Sequence, residues 1–194
     1  ELTAEQVQRC IEEVRIGFMF APVFHPAMKY AAAPRREIGI RTVFNILGPL
    51  TNPAQAKAFL LGVADSSLVQ KMALVLRSLD CHHALVVHGE DGLDEITITG
   101  KTQVSELKDG AISNYTISPQ DFALSEADPD SLKGGTVEEN AAQACDILAG
   151  TKGPQRDVVL MNAAAALLAG DKVATLQQGI VLAGEIIDNG HAMA

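Results

Sequence analysis

Asp94 and Glu95 stand side by side, two residues after Gly92. Two adjacent carboxylates suit a hard, oxygen-seeking cation that keeps several of its waters, a description that fits Mg²⁺. The plain alternative is a solvated acidic turn. Upstream, Arg35, Arg36 and Arg41 crowd into one short segment. A guanidinium is a planar fork that matches a carboxylate. Taken singly, each of the three is more often half of a surface ion pair, and Glu37 is a ready partner. His25 precedes Pro26 at a loop-to-helix junction, where a helix cap or a core histidine is the simplest role. Gly48 and Pro49 permit close approach and fix a turn, and each is equally well a structural turn residue. Asn45 and Asn52 can serve only to hydrogen-bond their own loop. His82 and His83 beside Cys81 suggest a metal at first sight. Adjacent residues leading into a strand point to opposite sides, so a loop end is the better reading. No residue stands out as a general base.

These residues need elements to hold them. Thr3-Ala4-Glu5-Gln6 has the form of a capping box, and Val7, Cys10, Ile11 and Val14 follow at helical spacing, which predicts a helix over 4–14. Residues 17–24 are apolar and aromatic around Pro22, a buried loop or short extended piece. A helix starting at Pro26 should run to about Ala33 and break at Pro34. Gly-Pro-Leu-Thr-Asn-Pro at 48–53 resists any regular element. Ala58 to Val63 and Ala84 to His88 are apolar runs of strand length, separated by a helix that Ser66 or Ser67 could cap. That is the pattern of a parallel strand–helix–strand unit. Ile96 to Thr99 alternates as a strand would. Asp109-Gly110 is a turn pair between two further strands, at 103–107 and 112–117. Three helices close the chain near 138–149, 155–169 and 172–189, the first capped by Thr136 and the second rich in alanine. The expected fold class is α/β: a mixed, largely parallel sheet flanked by helices.

Bulk properties narrow the function. The chain has 194 residues and a formal net charge of −9. An acidic balance repels polyanions, so nucleic acid is a poor partner. A phosphate substrate remains compatible, because a bound cation reverses the local sign. The three cysteines, Cys10, Cys81 and Cys145, form no C-x-x-C pair and read as reduced thiols of a cytoplasmic protein. The apolar runs are too short for a membrane-spanning helix.

The run His25-Pro-Ala-Met-Lys-Tyr-Ala-Ala-Ala-Pro-Arg35-Arg36-Glu37, continuing through Arg41-Thr-Val-Phe-Asn45 to Gly48-Pro49-Leu-Thr-Asn52-Pro53, resembles the central signature of anthranilate phosphoribosyltransferases. Val87-His88-Gly89-Glu90-Asp91-Gly92-Leu93-Asp94-Glu95 resembles the metal segment of the same family, and Gly134-Gly135-Thr136-Val137-Glu138-Glu139-Asn140 its later part. The likeness covers essentially the whole chain in order. It implies a domain like the C-terminal part of nucleoside phosphorylase-like phosphoribosyltransferases. It implies Mg²⁺ held at Asp94 and Glu95, and an anthranilate site lined by Arg35, His25, Gly48 and Pro49. Arg36 and Arg41 stay open as carboxylate partners in place of Arg35.

The family also carries an N-terminal helical domain, a Gly-Thr-Gly-Gly-Asp loop and a Lys-His-Gly-Asn motif, none of which occurs in these 194 residues. The expectation is therefore a single α/β domain, residues 1–194, belonging to a two-domain enzyme, and inactive alone. The implied reaction joins anthranilate to the phosphoribosyl group of phosphoribosyl pyrophosphate, in a parent enzyme that forms a homodimer. A pyrimidine nucleoside phosphorylase is the nearest rival but should lack the Arg-Thr-x-Phe-Asn run. A non-catalytic nucleic-acid-binding relative would need a basic face.

Overall fold

The computed structural model describes residues 2–24, 30, 37, 48 and 50–193. They fall in two compact units, Glu1–Ala56 and Lys57–Ala194. Of the expected helix from Pro26 to Ala33 only Tyr30, in helical conformation, is described; His25, Arg35, Arg36, Arg41, Asn45 and Pro49 lie outside the described residues.

In the first unit the capping box forms as expected. Thr3 Oγ1 accepts from the Gln6 amide at 3.3 Å, and Gln6 Oε1 accepts from the Thr3 amide at 2.8 Å. Helix α1 spans Ala4–Arg9 and widens into a π-helical turn, Cys10–Val14, ending at Arg15 with φ 71°. A single turn, α2, covers Ala21–Phe24. The expectation of a buried segment here does not hold for Phe18, which is 79% exposed, or for Phe20. Their rings instead stack on each other with centroids 6.4 Å apart. Gly48 and Leu50 lie in helical turn geometry rather than in the irregular loop expected. Asn52 keeps to its own loop, accepting from the Ala54 amide at 2.9 Å.

The second unit is built on a four-stranded sheet in the order β1-β2-β3-β4. The strands are β1 Ala58–Gly62, β2 His83–Gly89, β3 Thr102–Lys108 and β4 Ala111–Ile117. Strands β1 and β2 are parallel and joined through α3, Val69–Ser78, as the apolar runs required. The cap before this helix is Asp65, not either serine: its side chain accepts from the Ser67 amide at 2.8 Å and starts a 3₁₀ turn that leads into α3. Strands β3 and β4 form the expected hairpin about Asp109-Gly110, both pairings antiparallel. The sheet is thus mixed, as expected. Among the described residues only one of its pairings is parallel, because the hairpin adds to β2 in the opposite sense.

Every residue of β2 is buried, which identifies it as the central plank. Alternation along β2 divides its side chains between two layers. Leu85 and Val87 join Ile96, Ile98, Val104 and Ile117 beneath the helices α5, Pro154–Ala169, and α6, Leu176–Asp188. Ala84 and Val86 lie on the other face, where α3 packs with Met72, Ala73 and Leu76 buried. Alanines 164 and 165 in α5 and Ala183 in α6 are fully or nearly buried, so the alanine-rich sequence lets these two helices pack closely. Helix α4, Val137–Leu148, begins at a complete Thr136 capping box with Glu139 and has no buried residue.

Candidate functional site

Parallel strands present their carboxyl ends on one side of a sheet, and α/β proteins place ligands there. The carboxyl ends of β1 and β2 are both glycine, Gly62 and Gly89. The chain leaving β2 turns through Glu90 to Glu95 and comes back to both. A Cβ on Gly62 would collide with the main-chain carbonyl of Asp94. A Cβ on Gly89 would lie 2.5 Å from Asp91 Oδ1 and 3.1 Å from Thr97 Cβ. Both strands therefore end in glycine because the acidic loop lies directly on their backbone.

Among the four acidic residues of this turn, Asp91 and the pair Asp94–Glu95 have different fates. Asp91 is consumed by the loop. Its Oδ1 accepts from the Leu93 amide at 3.1 Å, and its Oδ2 accepts from the Thr97 hydroxyl at 2.6 Å and from the Thr99 hydroxyl. Burial alone would push its carboxyl up, but the Thr97 and Thr99 hydroxyls together with backbone N–H groups outweigh this and hold it below the ordinary carboxylate range. Asp94 and Glu95 are exposed. Among the described residues, no hydrogen bond or ion pair engages either carboxylate. Partial burial, and then the negative charge of Asp94 beside it, raises the Glu95 carboxyl. Two adjacent carboxylates with no cation beside them are the state a divalent ion relieves.

The backbone behind the pair is fixed. Ile96 is fully buried in the core beneath α5 and α6. The Asn162 side chain, from α5, grips the same residue on both sides. Its Oδ1 accepts from the Ile96 amide at 3.0 Å, and its Nδ2 donates to the Ile96 carbonyl at 2.8 Å and to the Val158 carbonyl at 3.0 Å. The Thr97 amide donates to Thr102 Oγ1 at 3.0 Å. These side-chain bonds take the place of a ladder, so Ile96 to Thr99 is not the strand its alternation predicts.

The donor set fits a magnesium ion. The contributing atoms are carboxylate oxygens only, and Mg²⁺ is commonly held by one or two carboxylates with waters and substrate phosphates completing its shell. Among the described residues no group of three or more His, Cys, Asp or Glu side chains forms a metal cage.

Of the other expected site residues, Gly48 is half-buried, and a Cβ there would meet nothing within 4 Å. His25, Arg35 and Pro49 lie outside the described residues. Sequence reasoning assigned no role to Gly62, Gly89, Asp91, Thr97, Thr99 or Asn162. Gly89 carried a usable signal, since it directly follows an apolar run, whereas Gly62 lies inside its run and carried none. Asn162 carried none, being 66 residues from its partner.

An α/β unit whose parallel strands end beneath an open acidic loop belongs to a recognisable class. The sequence profile of the glycosyl transferase family, a/b domain, matches residues 1–193, and the chain belongs to that family. The particular relatives are anthranilate phosphoribosyltransferases. That of Dehalococcoides mccartyi is 57% identical over 195 residues, covering 100% of this chain and 57% of the relative. That of Methanosarcina barkeri is 54% identical over 193 residues, covering 100% of this chain and 52% of the relative. The crystal structure of the Thermus thermophilus enzyme superposes with a TM-score of 0.92 at 43% identity, over 100% of this chain and 57% of that one. The Saccharomyces cerevisiae enzyme in complex with phosphoribosyl pyrophosphate and Mg superposes with a TM-score of 0.87 at 27% identity, over 99% of this chain and 56% of that one. This chain thus spans a little over half the length of the relatives it matches.

Proposed function

We propose that the full-length protein is an anthranilate phosphoribosyltransferase. It transfers the phosphoribosyl group of phosphoribosyl pyrophosphate to the amine of anthranilate, in tryptophan biosynthesis. A C–N bond forms at the anomeric carbon, the C–O bond to diphosphate breaks, and the amine gives up one proton. The products are N-(5-phosphoribosyl)anthranilate and pyrophosphate. The observation that carries the reading is the Asp94–Glu95 pair, without a partner among the described residues, over the carboxyl ends of two parallel strands, in a chain matched end to end by relatives of this activity.

In this reading Asp94 and Glu95 hold Mg²⁺, which supplies positive charge to the departing diphosphate. Arg35 receives the carboxylate of anthranilate, with His25, Gly48 and Pro49 lining the aromatic ring. The anthranilate amine is weakly basic and largely neutral at pH 7, so no general base is assigned in this chain. The work of the residues is then positioning. One family profile spans residues 1–193, and we take both units as parts of one α/β domain in a two-domain enzyme. The homodimer and the cytoplasmic setting come with the family resemblance; analytical ultracentrifugation of the full-length protein tests the first. Residues 1–194 contain no Gly-Thr-Gly-Gly-Asp loop to cradle phosphate, so this polypeptide alone should show no turnover.

The test is steady-state kinetics of the full-length enzyme. Asp94→Asn with Glu95→Gln should lower turnover and weaken its dependence on Mg²⁺. Arg35→Ala should raise the KM for anthranilate about tenfold or more, the loss of one charge-assisted contact. Unchanged Mg²⁺ dependence in the double variant would remove the metal assignment. A shift confined to the phosphoribosyl pyrophosphate constant would move the carboxylate role to Arg36 or Arg41.

A further inference from the structure

We propose that Asn162 is a positioning residue for the Asp94–Glu95 pair, acting through the backbone of Ile96 rather than by touching metal or substrate. The inference rests on the reading of Asp94 and Glu95 as magnesium ligands. It adds a residue from a distant helix that no motif of the acidic segment contains.

The geometry is specific to a carboxamide. An asparagine side chain offers one acceptor oxygen and two N–H donors. Here the oxygen takes the Ile96 amide at 3.0 Å, and the nitrogen gives one bond to the Ile96 carbonyl at 2.8 Å and one to the Val158 carbonyl at 3.0 Å. Both polar groups of one loop residue are thereby tied to α5, and the amide is in turn tied back to its own helix. The peptide joining Glu95 to Ile96 is held by its N–H, so the direction in which Glu95 leaves the main chain is set by Asn162. On the other side, Gly62 lies against the Asp94 carbonyl. The two acids project from a short piece of backbone clamped at each end, one clamp being β1 and the other α5. Ile96 is fully buried in the core, so the clamp also couples the loop to the rigid part of the unit. Residues that orient metal ligands without contacting the metal commonly control affinity by about 10–100-fold.

Hydrophobic anchoring of Ile96 alone is the competing account, and it predicts that changes at Asn162 affect stability only. The experiment uses the full-length enzyme in three forms besides wild type: Asn162→Ala, Asn162→Asp, and Asp94→Asn with Glu95→Gln. Mn²⁺ substitutes for Mg²⁺ as a probe, because oxygen donors accept both. Its binding in the presence of inorganic pyrophosphate is read from the electron paramagnetic resonance of free Mn²⁺. Hydrogen exchange at the Ile96 amide reads the clamp itself. Kinetics give the Mg²⁺ activation constant and the KM for anthranilate.

Asn162→Ala should speed Ile96 exchange by about tenfold, the loss of one hydrogen bond of typical strength. It should weaken Mn²⁺ binding and raise the Mg²⁺ activation constant by about tenfold or more, with the anthranilate KM within about twofold. Asn162→Asp keeps the acceptor for the Ile96 amide and the side-chain shape but loses both donors. It decides the matter if the alanine variant does not fold. A folded Asn162 variant with faster Ile96 exchange and Mn²⁺ binding within twofold of wild type would overturn the proposal. Unchanged Mn²⁺ binding in the Asp94→Asn, Glu95→Gln form would overturn the underlying metal assignment instead, and that failure is recognisable because it leaves the Ile96 exchange result standing.

Discussion

The two ends of strand β2 both gather acids, and they treat them in opposite ways. At its start, His83 is fully buried with a carboxylate at each ring nitrogen: Asp171 Oδ1 lies 3.2 Å from Nδ1 and Glu106 Oε1 2.9 Å from Nε2. The Tyr115 hydroxyl donates to the other Glu106 oxygen at 2.8 Å. His82, exposed, reaches Asp109 at 3.3 Å and Asp171 at 3.2 Å. Glu106, Asp109 and Asp171 thus each have a protein partner. At the end of β2, Asp91 is likewise satisfied, but among the described residues Asp94 and Glu95 have none. The six residue steps of β2 separate these ends by about 20 Å. A fold spends its cations and hydroxyls on the acids it needs for its own stability. Acids left over, yet held by rigid backbone, are the ones available to a ligand.

Changes at the two ends should therefore separate stability from magnesium response. His83→Ala is expected to have the largest effect on stability. It empties a fully buried site and takes one hydrogen bond from Glu106, and should cost about 3 kcal/mol, the scale for a large-to-small change in a packed core, measured as a lower urea midpoint. The Mg²⁺ activation constant of the full-length enzyme should not move, since sites this far apart are nearly independent. If it does move, the contrast between the ends is wrong. Gly62→Ala should come next, at about 2 kcal/mol for forcing a methyl into packed backbone. Unlike the histidine change, it should also raise the Mg²⁺ activation constant, because the Asp94 carbonyl must give way. Thr97→Val removes one hydroxyl from Asp91 and leaves an acceptor short, a loss of about 1 kcal/mol, read in the same denaturation assay.

The smallest effect concerns pH. The hydrogen bond from His83, foremost, holds the Asp171 carboxyl below its ordinary range. A depressed folded pKa contributes stability that is complete above the unfolded value, about 3.9 for aspartate, and is lost as pH falls toward the folded one. The stability gap between wild type and Asp171→Asn should thus be steady near neutrality and close as pH drops below about 4. A gap that widens in acid would contradict the lowered Asp171 carboxyl.

The helices and strands were largely legible because their signals are local. The Thr136 box, the Asp109-Gly110 turn and the two apolar runs each encode their element within a few residues. The Asp94–Glu95 pair, proposed as the metal ligands, was singled out on an equally local signal, two adjacent carboxylates. The Ile96 to Thr99 stretch misled because threonine hydroxyls replaced ladder bonds, and periodicity does not report side-chain acceptors. For the histidine pair the opposite-sides rule held in burial: His83 is buried and His82 exposed. It did not foresee that both would reach Asp171, 88 residues away from His83. Asn162 was illegible outright, since nothing near it in sequence names Ile96. What sequence reading misses here is the set of long-range polar contacts that aim the locally encoded residues.

The most direct test of the central claim is where a paramagnetic ion broadens the spectrum. Mn²⁺ titrated into the deuterated full-length protein with inorganic pyrophosphate should broaden the backbone amides of Leu93 to Ile96 first. The amides of His83 and Lys108 to Ala111, at the satisfied end of β2, should stay sharp. Broadening that begins at the histidine end, or that spares Leu93 to Ile96, would contradict the assignment of Asp94 and Glu95 as the metal ligands.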